Sequence, residues 1–294
     1  MESNQLFKEQ IKIDYRPGQN VSAVLNEFYH TPPVSAPVLV CLPAMGVAAK
    51  HYSGLAEELV IQLNCIAFTI DWRGLGTSSV RVRKGVNFGF KELLEDLDQT
   101  LSIIKSKYPE SEIYLTGHSL GGQLACLYSA WGKTPVKGLI LVACCSVYYK
   151  GWPGMEGLRI LAFTQTARYL SRVLGYFPGK KMGFGGTESK TLIQDWSHLA
   201  RSGRFEPQNM QFNFEKEMAK VTLPILSVAI AHDNYAPPKA IDNLCAKFPA
   251  SVAISRKTID GQAQNTPKLS HINWLQYPQA VVPVMRQWLQ LQGR

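Results

Sequence analysis

The chain has 294 residues, 46% of them hydrophobic and 18% charged, which is enough apolar material to fill one large core and excludes a disordered chain. Its 31 Lys and Arg against 22 Asp and Glu give a net charge of +9, but the longest basic run is "RVRK" at 81–84 and no nucleic-acid-binding motif accompanies it, so nucleic acid is not expected as a partner. The opening "MESNQLFKEQIKIDY" has no signal-peptide core and no apolar stretch reaches membrane-spanning length, so a cytoplasmic protein is expected.

In chain order, "QIKIDYRP" and "NVSAVLNEFY" alternate with period two around a Pro-Gly-Gln turn signal, predicting a hairpin at a sheet edge. From "APVLVCLP" onward the pattern becomes short continuous apolar runs: "CIAFTI", "EIYLTG", "GLILVAC" and "LPILSVAIA". Runs of this kind are strands buried on both faces, so a mostly parallel central sheet flanked by helices is expected. The helices are predicted in "HYSGLAEELVIQLN", "FKELLEDLDQTLSIIKSKY" and "AVVPVMRQWLQLQ", where apolar residues recur every three or four positions. Between 146 and 215 the alternation stops, and Gly, Pro and aromatics surround helix-like pieces. The expected division is an α/β core of 1–145 and 216–294 with a mainly helical cap inserted at 146–215. None of the six cysteines has paired CxxC spacing, and buried free thiols are expected.

"YLTGHSLGGQLA" at 114–125 holds a Gly-x-Ser-x-Gly pattern that chance produces in roughly one chain of this length in ten. Its setting raises its weight, because a buried strand precedes it and a helix follows. That is where a nucleophile elbow lifts a serine above the strand end, with small residues at 117 and 121 relieving the tight turn. A serine hydroxyl needs a base, and the base needs a carboxylate to orient it. His271, in "KLSHINWLQYP", and Asp233, in "AIAHDNYAPP", each follow a strand-like run. His30, His51, His118, His198 and His232 are expected to serve structural or local roles. The order Ser119, Asp233, His271 is nucleophile, acid, base. Oxyanion donors are expected from the backbone amides of Leu120 and of Met45, the latter in the loop "PAMGVAAKHY" between Ala44 and Gly46.

These residues resemble the α/β-hydrolase superfamily. "GHSLGG" is similar to its nucleophile motif and "DWRGLGTSS" at 71–79 to the loop after its fourth strand, while "HD" before "PP" and the later "SH" are similar to its acid and histidine loops. More narrowly the chain is similar to the monoacylglycerol-lipase-like and serine-aminopeptidase-like branches, and to bacterial hydrolases whose caps carry segments like "GYFPGKKMGFG" and "DWSHLARSGRF". One departure is that Pro43-Ala44 stands where many relatives have His-Gly. The resemblance implies a serine esterase with a small-molecule acyl substrate and no metal or organic cofactor. An acyltransferase using the same triad and a non-catalytic binding protein on the same fold are the alternatives. The stretch 146–210 carries nine basic against four acidic residues, a net +5, beside Tyr148, Tyr149, Trp152, Phe163, Tyr169, Tyr176 and Phe177. The favoured reading of such a cap is a solvated outer face over a packed inner one; the alternative is an apolar acyl pocket whose rim attracts an anionic head group, with a weak association with an anionic membrane surface.

Overall fold

The computed structural model describes residues 5–16, 21–30, 35–261 and 266–292. The Pro-Gly-Gln turn signal, the first four residues and the start of the "TPPVSAP" loop lie outside them. Two long strands, β1 (Phe7–Arg16) and β2 (Val21–Tyr29), pair antiparallel, with β1 at the edge of an eight-stranded sheet. Next come β3 (Val38–Leu42), helix α1 (Ser53–Leu63), β4 (Ile66–Ile70), α2 (Phe90–Lys107), β5 (Ile113–His118), α3 (Leu120–Trp131) and β6 (Gly138–Val142). A long helix α4 (Gly154–Leu174), the short strands β7 (Tyr176–Phe177) and β8 (Glu188–Ser189), and α5 (Lys190–Ser202) follow. The chain ends through α6 (Phe214–Met218), β9 (Ile225–Ile230), α7 (Pro238–Cys245), β10 (Ile254–Ile259) and α8 (Val282–Gln292).

The sheet order is β1-β2-β4-β3-β5-β6-β9-β10, and every pairing from β4 to β10 is parallel. Strands β3, β4, β5 and β6 are buried along their whole lengths, which is why they read as unbroken apolar runs. Successive side chains of each strand enter opposite layers. Val38, Val40 and Leu42 join the core under α2 and α3, whereas Leu39 and Cys41 join the core under α1 and α8. All six cysteines are buried free thiols inside these layers or beside them.

Within the segment between β6 and β9, α4, β7, β8 and α5 form a two-helix unit in which β7 and β8 pair antiparallel. Leu192 and Leu199 of α5 join the core under α2 and α3, and hydrogen bonds add to this fastening. Asp195 of α5 accepts the Phe90 amide at the start of α2 (3.0 Å), and Ser189 Oγ accepts the Phe88 amide (2.9 Å). An aspartate at a helix N-terminus satisfies a donor the helix cannot and meets the positive end of its dipole. After α5 the chain rejoins the main body, since Phe205 and Phe214 are buried in the core beneath α2 and α3.

Candidate functional site

Ser119 stands between the last residue of β5 and the first of α3, with φ +51° and ψ −115°. A residue with a side chain reaches this conformation only when its neighbours force it, at a cost of about 1–3 kcal/mol. They do so through glycine. A Cβ on Gly121 would lie 2.0 Å from the Leu42 carbonyl oxygen, and one on Gly117 would lie 2.4 Å from Gly122 Cα, so the turn closes only with both small. The Ser119 amide donates to Val142 O (3.2 Å), and its carbonyl accepts the Gly122 and Gln123 amides (3.0 and 3.1 Å). Strand and helix thereby fix the serine from both sides.

The ends of β9 and β10 supply the other two residues. His271 Nδ1 lies 2.7 Å from Asp233 Oδ2, and His271 Nε2 lies 3.0 Å from Ser119 Oγ. A carboxylate only accepts, so Nδ1 carries the proton, and Nε2 of the neutral ring is left to accept the serine hydroxyl. The second Asp233 oxygen accepts the Tyr235 amide (2.9 Å), and the Asp233 side chain is 1% exposed. The three residues, whose outermost members lie 152 positions apart in the chain, form one hydrogen-bonded line. Met45 and Leu120 line the cavity beside Ser119, and neither backbone amide has an acceptor among the described residues. Both are therefore available to a ligand oxygen.

A second line of hydrogen bonds runs beneath the first. The Ala44 amide donates to Tyr52 Oη (2.8 Å), the Tyr52 hydroxyl meets His118 Nδ1 (2.7 Å), and His118 Nε2 meets the carbonyl of His271 (2.7 Å). Burial, and after it the neighbouring His271, holds His118 well below its ordinary range, so the ring is neutral with one donor and one acceptor. The geometry sets the proton on Nε2, facing the carbonyl, and leaves Nδ1 to accept from Tyr52. Three loops are joined this way: the one carrying Met45, the elbow and the one carrying His271. His118 has the local role expected of it. Tyr52 escaped sequence reasoning, because its position at the start of α1 carries no mark of a partner 66 positions away. Tyr52→Phe is expected to orphan the Ala44 amide and His118 Nδ1, both buried, and to cost about 1–3 kcal/mol in urea unfolding. An unchanged midpoint would show that the line contributes nothing to stability.

Asp71 and Trp72 of "DWRGLGTSS" serve the same region. Asp71 accepts the Ala49 amide (2.7 Å) and the Thr77 amide (2.9 Å), and Trp72 Nε1 donates to Pro43 O (2.8 Å). The loop that has Pro43-Ala44 in place of His-Gly is thus fixed by a buried tyrosine, a tryptophan and an aspartate.

The cavity over Ser119 measures about 180 Å³ and is walled by Ala44, Met45, Cys145, Val147, Tyr235 and Ile272 from the sheet domain, and by Gly183, Phe184, Gly185 and Trp196 from the insertion. Among the seven aromatics singled out from the sequence, Trp152 and Phe163 line an adjoining cavity, as does Arg159, while Tyr169 is 68% exposed. Phe184 and Trp196, the insertion's aromatics that line the cavity with the serine, belong to the segments "GYFPGKKMGFG" and "DWSHLARSGRF". Among the described residues no helix is long and apolar enough to cross a membrane.

Beside this wall Glu188 is 3% exposed and accepts the Gly186 amide (2.8 Å). Burial pushes its carboxyl up from 4.5 to about 7, and burial likewise raises Asp195 from 3.8 to about 6. A raised carboxyl value means that the folded protein holds a proton the unfolded chain releases. The associated stability is full below the unfolded value and is lost as pH rises through the folded one. Glu188→Gln keeps an acceptor for Gly186 and removes the titration. Relative to the native protein, it is expected to gain about 3 kcal/mol in unfolding free energy between about pH 5 and about pH 8. Parallel curves for the two proteins would contradict this.

A family model described as serine aminopeptidase, S33, matches residues 35–199, which include Met45, Ser119 and Leu120. The monoglyceride lipase of Rattus norvegicus is 33% identical over 98 residues, covering 33% of this chain and 31% of the rat protein. That of Mus musculus is 25% identical over 208 residues, covering 65% of this chain and 64% of the mouse protein. The chain thus spans less than two thirds of either relative. Among solved structures, a soluble variant of monoglyceride lipase from Saccharomyces cerevisiae in complex with a substrate analogue superposes with a TM-score of 0.67 at 16% identity, covering 97% of this chain and 95% of the yeast chain. At that identity the likeness is one of fold, and the fold is that of the α/β hydrolases. Because the matched region takes in more than half of the chain, including the strand, elbow and helix around Ser119, the protein belongs to the serine aminopeptidase, S33, family.

Proposed function

We propose that the protein is a serine hydrolase that cleaves a carboxylic ester, thioester or small amide with an apolar acyl group. The reading is carried by one observation, the bridging of Ser119 Oγ and Asp233 Oδ2 by the two nitrogens of His271 at 3.0 and 2.7 Å. Family membership, the names of the lipase relatives and the apolar walls of the cavity support it.

In the mechanism, Ser119 Oγ attacks the substrate carbonyl carbon as its proton passes to His271 Nε2. The carbonyl oxygen becomes an oxyanion held by the Met45 and Leu120 amides, and each such donor is worth roughly 3 kcal/mol of barrier. Collapse breaks the bond to the leaving group, which takes the proton from His271 and departs. Water then loses a proton to the same nitrogen and attacks the acyl-enzyme, the acid is released, and Ser119 recovers its proton. Asp233 keeps His271 in the tautomer that accepts at Nε2 and stabilises the imidazolium formed in between.

A fluorophosphonate probe tests the proposal by mass spectrometry of the labelled peptide. Labelling is expected at Ser119 in the native protein and absent in Ser119→Ala. Equal labelling of the two, or none in the native protein, removes the nucleophile reading.

A further inference from the structure

The cavity over Ser119 has a neighbour. A second cavity of about 300 Å³ adjoins it beneath α4, lined by Trp152, Ile160, Phe163 and Met182 among others. The two share Val147, Gly183, Phe184, Trp196 and Tyr235 as a common wall. The larger chamber is the roomier and touches none of Ser119, His271, Met45 or Leu120. A chain of carbon running from the serine into it passes these five residues.

Five residues make the wall, and their supports differ. Gly183 presents no side chain, and Val147 is the one aliphatic member. Tyr235 packs against His271, with ring centroids 5.3 Å apart, and its amide is held by Asp233. Trp196 is set within α5, the helix fastened to α2 through Asp195. Phe184 projects from a loop, and its ring meets Trp196 at 5.3 Å and Tyr235 at 6.5 Å within the wall, and Phe163 at 5.0 Å in the far chamber. Its ring therefore stands among side chains from both helices of the insertion and from the sheet domain, on the boundary that the two cavities share.

The loop under Phe184 is built to hold that ring in place. Gly183 and Gly185 on either side have φ of +71° and +62°, conformations that a side-chain-bearing residue avoids. The Phe184 amide donates to Gly179 O (3.0 Å), and a Cβ on Gly179 would lie 2.1 Å from Phe184 O. On its other flank the loop abuts the Met45 loop so closely that a Cβ on Gly46 would lie 2.2 Å from Gly186 N. The backbone is thus wedged between the insertion and the loop that carries the Met45 amide, and the ring is the movable or removable part of the partition.

We propose that Phe184 is the residue that sets acyl length: it confines the substrate's acyl group to the smaller chamber, making the native enzyme selective for short acyl chains. The inference rests on Ser119 as nucleophile. A cavity of about 180 Å³ is below the range of roughly 300–1,000 Å³ that holds a drug-sized ligand, so a long chain does not fit in it. On this proposal the leaving group lies toward Ile272, which lines the serine cavity but not the larger one and is 44% exposed. Selection accordingly falls on the acyl side. The larger chamber is an acyl extension that this sequence has walled off.

The test is kcat/KM across p-nitrophenyl esters from acetyl to dodecanoyl. The native enzyme is expected to favour the acetyl to hexanoyl members. Phe184→Ala joins the chambers, and since one methylene in an apolar pocket is worth about tenfold or more, the ratio of kcat/KM for decanoyl and dodecanoyl esters to that for the acetyl ester should rise at least about tenfold. Adding Ile160→Trp, which fills the far chamber, is expected to return that ratio to the native value. Should the alanine variant fail to fold, Phe184→Leu gives a smaller shift in the same direction. Native rates that climb toward dodecanoyl overturn the proposal, as does an unshifted profile in a folded variant that still takes the fluorophosphonate label. The latter result leaves the serine reading standing, whereas a native protein that takes no label overturns that reading and this one together.

Discussion

Ser119→Ala is expected to lower kcat by about a millionfold while leaving the fold intact. The size follows from the line of hydrogen bonds. The serine oxygen is the atom that bonds to carbon, and with it gone His271 Nε2, 3.0 Å away in the native protein, has no nucleophile to deprotonate except a misplaced water. What survives is the contribution of the Met45 and Leu120 amides and of binding, about a thousandfold over water. Because the three residues act as one unit, a double variant that also replaces His271 is expected to lose little more than the single one. Steady-state rates on a short-chain ester, with thermal melts to confirm folding, measure both. A loss below about a hundredfold would mean that another group is the nucleophile, or that the chemistry uses water directly.

The parallel sheet was legible because burial on both faces leaves a simple trace: β3, β4, β5 and β6 are mostly apolar, with Thr69, Thr116 and His118 as polar exceptions, and these runs mark them without reference to anything else. The elbow was legible for a related reason. Its two glycines answer to backbone contacts with Leu42 and Gly122 that any serine in this turn must make room for. Asp233 and His271 could be nominated because strands running in parallel deliver their trailing loops to one edge, so chain order alone brings them near Ser119. Their meeting at hydrogen-bond distance is a matter of three dimensions.

Side chains whose roles depend on distant partners left no such trace. Tyr52 looks like any aromatic opening an amphipathic helix, and its link to Ala44 and His118 exists only once β3, α1 and β5 are assembled. Within the insertion, composition drew notice to its charge and to seven aromatics, yet Tyr169 faces solvent, and the insertion's rings that line the serine cavity are Phe184 and Trp196. A glycine-rich loop has no periodicity from which to read which way its aromatic side chain points. Glu188 gave no signal either, since a charged letter in a loop suggests solvent, whereas this carboxyl is buried behind the wall of the cavity.

Asp233→Asn is expected to lower kcat by about ten-thousandfold with little change in KM. The replacement has the same shape, so the argument turns on hydrogen-bond polarity. Asp233 accepts twice, from His271 Nδ1 and from the Tyr235 amide. An asparagine offers one oxygen and one NH2 group, so one of these two donors must face another donor. The Tyr235 amide cannot change its nature, but an imidazole can, by moving its proton from Nδ1 to Nε2. The asparagine oxygen therefore keeps the amide, its NH2 donates to Nδ1, and Nε2 now carries a proton aimed at Ser119 Oγ. In that tautomer His271 can no longer accept the serine proton. The reverse orientation buries two opposed donors, at a cost of about 1–3 kcal/mol, so it is the minor form and accounts for part of the residual rate. KM is spared because Asp233 does not line the cavity. Rates at saturating ester, compared with the native enzyme, decide the matter, and a loss under about tenfold would show that His271 does not depend on Asp233 for its tautomer.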